Sequence, residues 1–293
     1  MLGPTFPQDL RVAIARFAVF GHPIAHSLSP RIQQAFARQF DIALEFHAID
    51  VAPEDFSAVV TSFFAAGGAG ANVTLPHKAA AFALAQMRSA AATRAGTANV
   101  LTPRSDGTLA AHNADGAGLV RDLTTRHGVD LRGRSALLLG AGGAACGVAW
   151  NLLDAGVRTL LIANRSPQAA ERLATAIGDT RRARACAWAQ LATAGSFELI
   201  VNATSAGVLG QTLALPPSLV DAHTLCYDLS YGPAATGFLA WSRAAGARGA
   251  IDGLGMLVET AAEAFALWHG RQARTEPVYQ ALRAGERDAR GAG

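Results

Sequence analysis

The chain reads as an α/β protein of two units, and three observations predict it. Short apolar strand patterns alternate with helical patterns from Arg16 to Ala111, the order that covers both faces of a mostly parallel sheet. A second alternation begins at Ser135–Leu139 (SALLL), which runs straight into GAGGAA and a helix, as nucleotide-binding folds do. The 293 residues, 51% of them hydrophobic, suffice for two cores.

In order, residues 16–21 (RFAVFG) predict the first strand. GHPIAHSLSP follows as a loop, and Pro30, suited to a first helical position, opens a helix over 31–40. Residues 44–49 predict a strand, 53–66 a helix, and 69–73 a third strand. The strand ends near Val73 because Leu75 precedes a proline and is pushed out of the helical region. Helical residues then run from Lys78 to about Arg94, with a break near Ser89. Two short strands, 98–102 and 108–111, flank the turn signal Ser105-Asp106-Gly107. A linking helix covers 115–127. The second unit reads as strands at 135–139, 158–163, 184–187, 199–202 and 225–229, with helices after the glycine loop and at 167–177. From Ala234 onward the pattern is helical, at 236–245, 254–269 and 277–282, and the last residues, RAGERDARGAG, look frayed.

Composition excludes several classes. No apolar run reaches the ~18 residues of a membrane span. The N-terminus carries prolines and Asp9 where a signal peptide needs a basic start and an apolar run, so the expected setting is cytoplasmic. Cys146, Cys186 and Cys226 are far apart, show no metal-ligand spacing, and read as reduced, mostly buried thiols. Arginines are scattered, and the net charge of +3 fits small anionic ligands rather than a nucleic-acid stripe.

Gly140, Ala141, Gly142, Gly143 and Ala144, closed by Ala145, fit G-x-G-x-x-A between strand and helix. The first glycine permits the turn, the second a close approach of a pyrophosphate, and Ala145 close helix–sheet packing. Phosphates would sit on the helix N-terminus, where free N–H groups and the dipole favour an anion. At the end of the next strand, an NAD site would place a carboxylate for the ribose 2′-OH. This chain has Asn164, Arg165 and Ser166 instead. A guanidinium fork there suits a 2′-phosphate and predicts NADP; the plain alternative is a surface arginine. Thr204, in NATSAG, lies on another small polar loop after a strand.

Lys78 closes GANVTLPHK at the entry of a helix, where its side chain can point into a cleft; a solvated surface lysine is the ordinary alternative. Ser27 and Ser29 can bind a polar ligand, or Ser29 can cap the helix at Pro30. Asn99 (GTAN) and Asp115 (HNADG) sit among small residues, and Asp115 alone reads as an N-cap.

GHPIAHSLSP, GANVTLPHK, GTANVL, NADGAGL, LLGAGGAA, ANRS, NATSAG, YDLSYGP and DGLGMLVE, in this order, resemble the shikimate dehydrogenase family over nearly the whole chain. The resemblance implies reversible reduction of 3-dehydroshikimate to shikimate with NADPH. It implies an N-terminal α/β substrate domain (1–113), a Rossmann-type NADP-binding domain (114–252), and C-terminal helices (253–293) that return to the substrate domain. Lys78 would be the catalytic lysine and Asp115 its partner. Ser27, Ser29, Thr74 and Asn99 would bind the substrate, with Tyr231 close by. Gly140–Ala144 would hold the pyrophosphate and Asn164, Arg165 and Ser166 the 2′-phosphate. Leu229 and Gly253 would line the nicotinamide region near Thr204. Thr260 stands where the family carries a substrate-binding glutamine.

The competing readings are a paralogue acting on quinate or an aminated analogue, and a catalytically weak NADP-binding protein. No G-x-S-x-G appears for a hydrolase. The partner is a small molecule, without nucleic acid, membrane or metal, and the oligomeric state stays open between monomer and homodimer.

Overall fold

The computed structural model describes residues 14–291; the leader reading, which concerns residues 1–13, lies outside them. The chain runs β1 (Ala15–Gly21), α1 (Ser29–Arg38), β2 (Leu44–Asp50), α2 (Phe56–Ala65), β3 (Gly68–Val73), α3 (Lys78–Leu84), β4 (Met87–Arg88), α4 (Ala90–Ala95), β5 (Val100–Pro103), β6 (Leu109–His112) and α5 (Asp115–Arg121). A π-helical turn, Asp122–Arg126, continues α5. Then come β7 (Ser135–Leu139), α6 (Gly143–Asp154), β8 (Thr159–Asn164), α7 (Pro167–Ile177), β9 (Ala183–Ala187), β10 (Leu199–Asn202), β11 (Leu225–Asp228), α8 (Thr236–Ala244), β12 (Gly249–Ile251), α9 (Leu254–His269) and α10 (Thr275–Gly291).

The first sheet has the order β2-β1-β3-β5-β6-β4. β1 pairs parallel with β2 and β3, and β4 with β6, while β5 is antiparallel to β3 and β6. The sheet is thus mostly parallel with an antiparallel strand inside it. The second sheet, β12-β11-β10-β7-β8-β9, is parallel throughout. From β9 inward this is the doubly wound Rossmann order, whose switch point lies between β7 and β10.

Three sequence expectations change. The helical run expected over 78–94 with a break near Ser89 breaks earlier, after Leu84, and the short strand β4 separates its two helices. Gln86 leaves the helix because its N–H donates to the Leu109 carbonyl and its Oε1 accepts from the Leu109 N–H. Ser89 then caps α4 through the Ala92 N–H. The linking helix loosens into the π-turn after Arg121. Where fraying is expected, α10 continues to Gly291, and residues 292–293 are outside the described range.

Each sheet is sandwiched. β1, β3, β5 and β6 bury Phe20, Val73 and Leu101 against α2 and α3. On the other face α9 returns from the end of the chain to pack with α1 and α10, joining Ile32, Phe36, Val258, Phe265 and Leu282 in one cluster. Phe36 and Phe265 are fully buried, edge to face, with ring centroids 5.8 Å apart, and burial of each stabilises by about 1.5–3 kcal/mol. In the second unit α5, α6 and α7 cover one sheet face, and α8 with its neighbouring loops covers the other.

The two units are clamped beside the π-turn. Arg126, nearly buried, binds Asp122 one turn back, Glu259 of α9 at 2.7 Å and Glu276 of α10 at 3.0 Å. Asp122 also accepts from the Tyr227 hydroxyl of β11 at 2.7 Å. Arg126→Ala strands two buried carboxylates, Asp122 and Glu259. The expected loss is about 3–5 kcal/mol, read as a fall in the urea midpoint; a loss below about 1 kcal/mol would show that the clamp contributes little.

Candidate active site

The C-terminal ends of β1 and β3 in the first sheet and of the parallel strands of the second face a common cavity of about 860 Å³. The β1–α1 loop brings Ser27 and Ser29, the β3–α3 turn brings Thr74 and Lys78, and α5 brings Asp115. The opposite wall is the glycine loop, the ends of β8, β10 and β11, and α9.

Lys78 is the first residue of α3. Its side chain is only 14% exposed, and its Nζ lies 2.5 Å from Asp115 Oδ2. A buried ammonium needs such a partner. Asp115 does not cap its helix: the N-cap is Ala114, with no side-chain bond. Its carboxylate accepts from Lys78 at Oδ2 and from the Asn99 amide at Oδ1, 2.8 Å away. Asn99 Oδ1 accepts the Ala114 N–H at 2.9 Å, and Asn113 Oδ1 accepts the Asp115 N–H at 3.1 Å. Lys78, Asn99 and Asn113 together fix the carboxylate and the backbone that carries it.

α5 can stand here because it is small-sided. A Cβ on Gly116 would lie 2.6 Å from the Gly147 carbonyl of α6, and one on Gly118 3.0 Å from the Met256 carbonyl of α9. Both contacts are closer than Cβ atoms comfortably tolerate, so the spacing Gly-x-Gly wedges α5 between its neighbours.

On the second unit Gly140 takes φ +106° and approaches the start of the β10 loop, where a Cβ would meet the Ala203 carbonyl at 2.9 Å. Gly142 precedes α6 with no side chain capping the first turn, and space is open around its Cα. The uncapped N–H groups of this twelve-residue helix make an anion cradle. Arg165 is exposed, lines the same cavity, and makes no hydrogen bond or ion pair among the described residues. The bare cradle and the available guanidinium fit a phosphorylated dinucleotide.

Ser27, Ser29, Thr74, Lys78, Asp115, Gly140, Ala141, Gly142, Gly143, Ala144, Asn164, Arg165, Thr204, Leu229, Tyr231, Gly253 and Thr260 all line the cavity. Ser29 does not cap α1, whose N-cap is Leu28. Asn99 lies behind Asp115, 3% exposed, instead of in the wall. Ser166 is outside the lining and bonds Gln168. The cavity adds residues that the sequence reading passes over: Thr97, whose hydroxyl donates to the Gly143 carbonyl at 3.4 Å across the cleft, His26, Trp188 and Ser230. Thr97 in GTAN, His26 in GHPIAHSLSP and Ser230 in YDLSYGP each lie in a motif that the sequence displays, whereas Trp188 lies in none.

Electrostatics separates reactive groups from inert ones. Burial pushes the Cys146 thiol up, so this cysteine of the cavity wall is a poor nucleophile. Burial lowers His77, whose ring stacks on Phe56 and bonds the Val51 carbonyl at 2.8 Å. Burial raises Asp228 to about 6. Among the described residues no His, Cys, Asp and Glu cluster could hold a metal, and no helix is long and apolar enough to cross a membrane.

Three family models match the chain: the shikimate dehydrogenase substrate binding domain over residues 19–101, shikimate / quinate 5-dehydrogenase over 122–209, and the shikimate 5'-dehydrogenase C-terminal domain over 253–283. A relative from Xylella fastidiosa strain M12, shikimate dehydrogenase (NADP(+)), is 58% identical over 271 residues, 92% of this chain and 96% of its own. An Ael1 enzyme from Pseudomonas putida superposes with a TM-score of 0.82 at 42% identity, covering 92% of this chain and 98% of its own. Shikimate 5-dehydrogenase from Thermus thermophilus, in complex with NADP(H) and shikimate, gives 0.79 at 34% identity, covering 92% and 99%. On sequence and fold alike, the chain belongs to the shikimate dehydrogenase family.

Proposed function

We propose that this chain reversibly reduces 3-dehydroshikimate to shikimate with NADPH. The observation that carries the reading is the Lys78–Asp115 pair, 2.5 Å apart, in the wall of the cavity that also holds the glycine loop. A division at 1–113, 114–252 and 253–293 accompanies the proposal. So does a cytoplasmic setting, which three free cysteines with thiols pushed up by burial support.

The glycine loop would hold the pyrophosphate, and Asn164 and Arg165 the 2′-phosphate. A nicotinamide dinucleotide held there would supply the hydride acceptor or donor. The chain's own contribution is the proton. In the reducing direction Lys78 Nζ gives a proton to the carbonyl oxygen as that oxygen gains charge; in the reverse direction it takes the proton back. Asp115 accepts one Nζ hydrogen and so aims the others. Because Asn99 occupies the other carboxylate oxygen, the pair cannot swing out of register. Ser27, Ser29, Thr74 and Tyr231 line the remaining wall and supply hydroxyls for a polyhydroxylated acid. The cavity excludes most bulk water from the pair, which sharpens both the proton transfer and the ion pairing.

The direct test is an absorbance assay at alkaline pH, with shikimate or quinate and NADP⁺ or NAD⁺. Turnover confined to shikimate with NADP⁺ is expected; turnover led by quinate would move the protein to the paralogue reading. Lys78→Ala should lower kcat about 10²–10⁴-fold while leaving much of the shikimate affinity, and a near-normal kcat would refute its role. Arg165→Ala should raise KM for NADP⁺ roughly tenfold and leave KM for NAD⁺ nearly unchanged. Equal effects on both dinucleotides would remove Arg165 from 2′-phosphate recognition.

A further inference from the structure

We propose that Asp228 is a positioning residue for dinucleotide binding, holding two loops of the cofactor wall in place, one through Asn202 and one through its own bond to the Ser230 N–H. The proposal rests on the reading of the cavity as a nicotinamide-dinucleotide site.

Asp228 ends β11 and Asn202 ends the adjacent strand β10, side by side in register. They are 1% and 2% exposed, and neither lines the main cavity. Asp228 Oδ2 accepts from Asn202 Nδ2 at 2.9 Å, and its Oδ1 accepts the Ser230 N–H at 2.8 Å. The first bond sets the orientation of the Asn202 amide. Asn202 Oδ1 then accepts the Thr204 N–H at 3.1 Å and the Thr204 hydroxyl at 2.8 Å. Thr204 and Ser230 both line the cavity. Ser230 passes the constraint on, since its carbonyl accepts the Gly253 N–H at 2.8 Å. One buried carboxylate therefore holds both loops and, through Ser230, the turn at Gly253.

Such a carboxylate is costly to bury, and here no cation pairs with it among the described residues. From β10 it faces Asn202. From the side of α8 it faces Pro233, Phe238 and Trp241, which share a small side cavity with it. The charged neighbour is Asp252, just past β12, itself bound by Arg283 of α10. Asp252 disfavours charge on Asp228, in the same direction as burial, and the carboxyl is raised to about 6. Above that pH Asp228 is a double acceptor, as the network requires. Below it, one oxygen carries a proton and the pull on the Asn202 amide weakens.

Asp228→Asn keeps the shape and sets two amide donors against each other. Titrating NADPH by fluorescence at pH 8, we expect roughly tenfold weaker binding, with kcat at saturating cofactor changed less than about twofold and the thermal midpoint retained. The exchange N202D/D228N reverses the polarity of the pair. Asp at 202 accepts from Thr204 and from the new amide, and Asn at 228 still accepts from Ser230, so binding should return to within about threefold of wild type. A folded D228N that binds NADPH as wild type does, or a folded exchange variant that binds no better than D228N, overturns the proposal.

Should D228N not fold, the wild-type protein carries the test. The 2′-phosphate titrates near pH 6, so NADH, which lacks it, is the probe. Its affinity should fall severalfold between pH 8 and 5.5, and a flat profile overturns the proposal. Failure of wild type to bind either dinucleotide at pH 8 would instead overturn the cofactor reading and the proposal with it.

Discussion

The site depends on how closely α5 approaches two other helices. Its first turn, Asp115-Gly116-Ala117-Gly118, meets the backbone of α6 at Gly116 and that of α9 at Gly118, at separations that exclude side chains. That contact puts the Asp115 carboxylate at the junction of the two sheets, where Lys78 and Asn99 of the first unit reach it. A looser α5 would carry Asp115 away from Lys78 and leave an unpaired ammonium in an apolar wall. The same wedge explains why the C-terminal helix α9 must return to the first unit. It is the third layer of the packing, and it supplies Met256, Leu257 and Thr260 to the cavity.

Buried charge is handled in two ways. Beside the π-turn, Asp122 and Glu259 are neutralised by Arg126, whose guanidinium also lies over the Tyr279 ring at 4.2 Å. Tyr227, fully buried against Asp122, is held protonated, first by burial and then by the adjacent carboxylate, and so serves as a fixed donor. Asp228 is different: hydrogen bonds hold it, and no guanidinium among the described residues does. Groups of the first kind tie helices together over a broad pH range. A group of the second kind is raised toward neutrality, to about 6, and it lies one hydrogen bond from Ser230 of the cavity wall.

Local chemistry is what the sequence displays. The glycine loop, the period-two strands and the turn at Ser105-Asp106-Gly107 each follow from neighbouring residues, and β7, α6 and β10 appear as expected. The failures are long-range. Ala79–Ala85 is built from strong helix formers, so propensity alone carries the helix past Gln86, whereas pairing with Leu109 ends it. β12 is three residues long and exists because β11 offers it an edge. Arg126 and Glu259 are 133 positions apart, and nothing local marks either as a partner. In the site, nothing local to Lys78 or Asp115 marks their contact; the expectation that they are partners comes from the family resemblance alone. Asn99 was legible as polar; its place behind Asp115 follows only from the meeting of β5 with α5.

Thr260 gives the last step. Its hydroxyl is buried, makes no hydrogen bond among the described residues, and lies 2.3 Å from where a Cβ on Gly118 would stand. It is turned toward α5, so the part of Thr260 that faces the cavity is carbon. On this wall the helix contributes shape rather than polarity, and an unsatisfied hydroxyl in the interior carries a cost. On the proposed reading, recognition of a polyhydroxylated substrate would then fall on the other hydroxyls of the cavity wall, Ser27, Ser29, Thr74 and Tyr231. A longer amide at 260 would have to pass the hydroxyl's present position or extend into the cavity, where it would meet those same groups. The side chain that residue 260 can present to the cavity is therefore set jointly by its own length and by the space that Gly118 leaves beneath it.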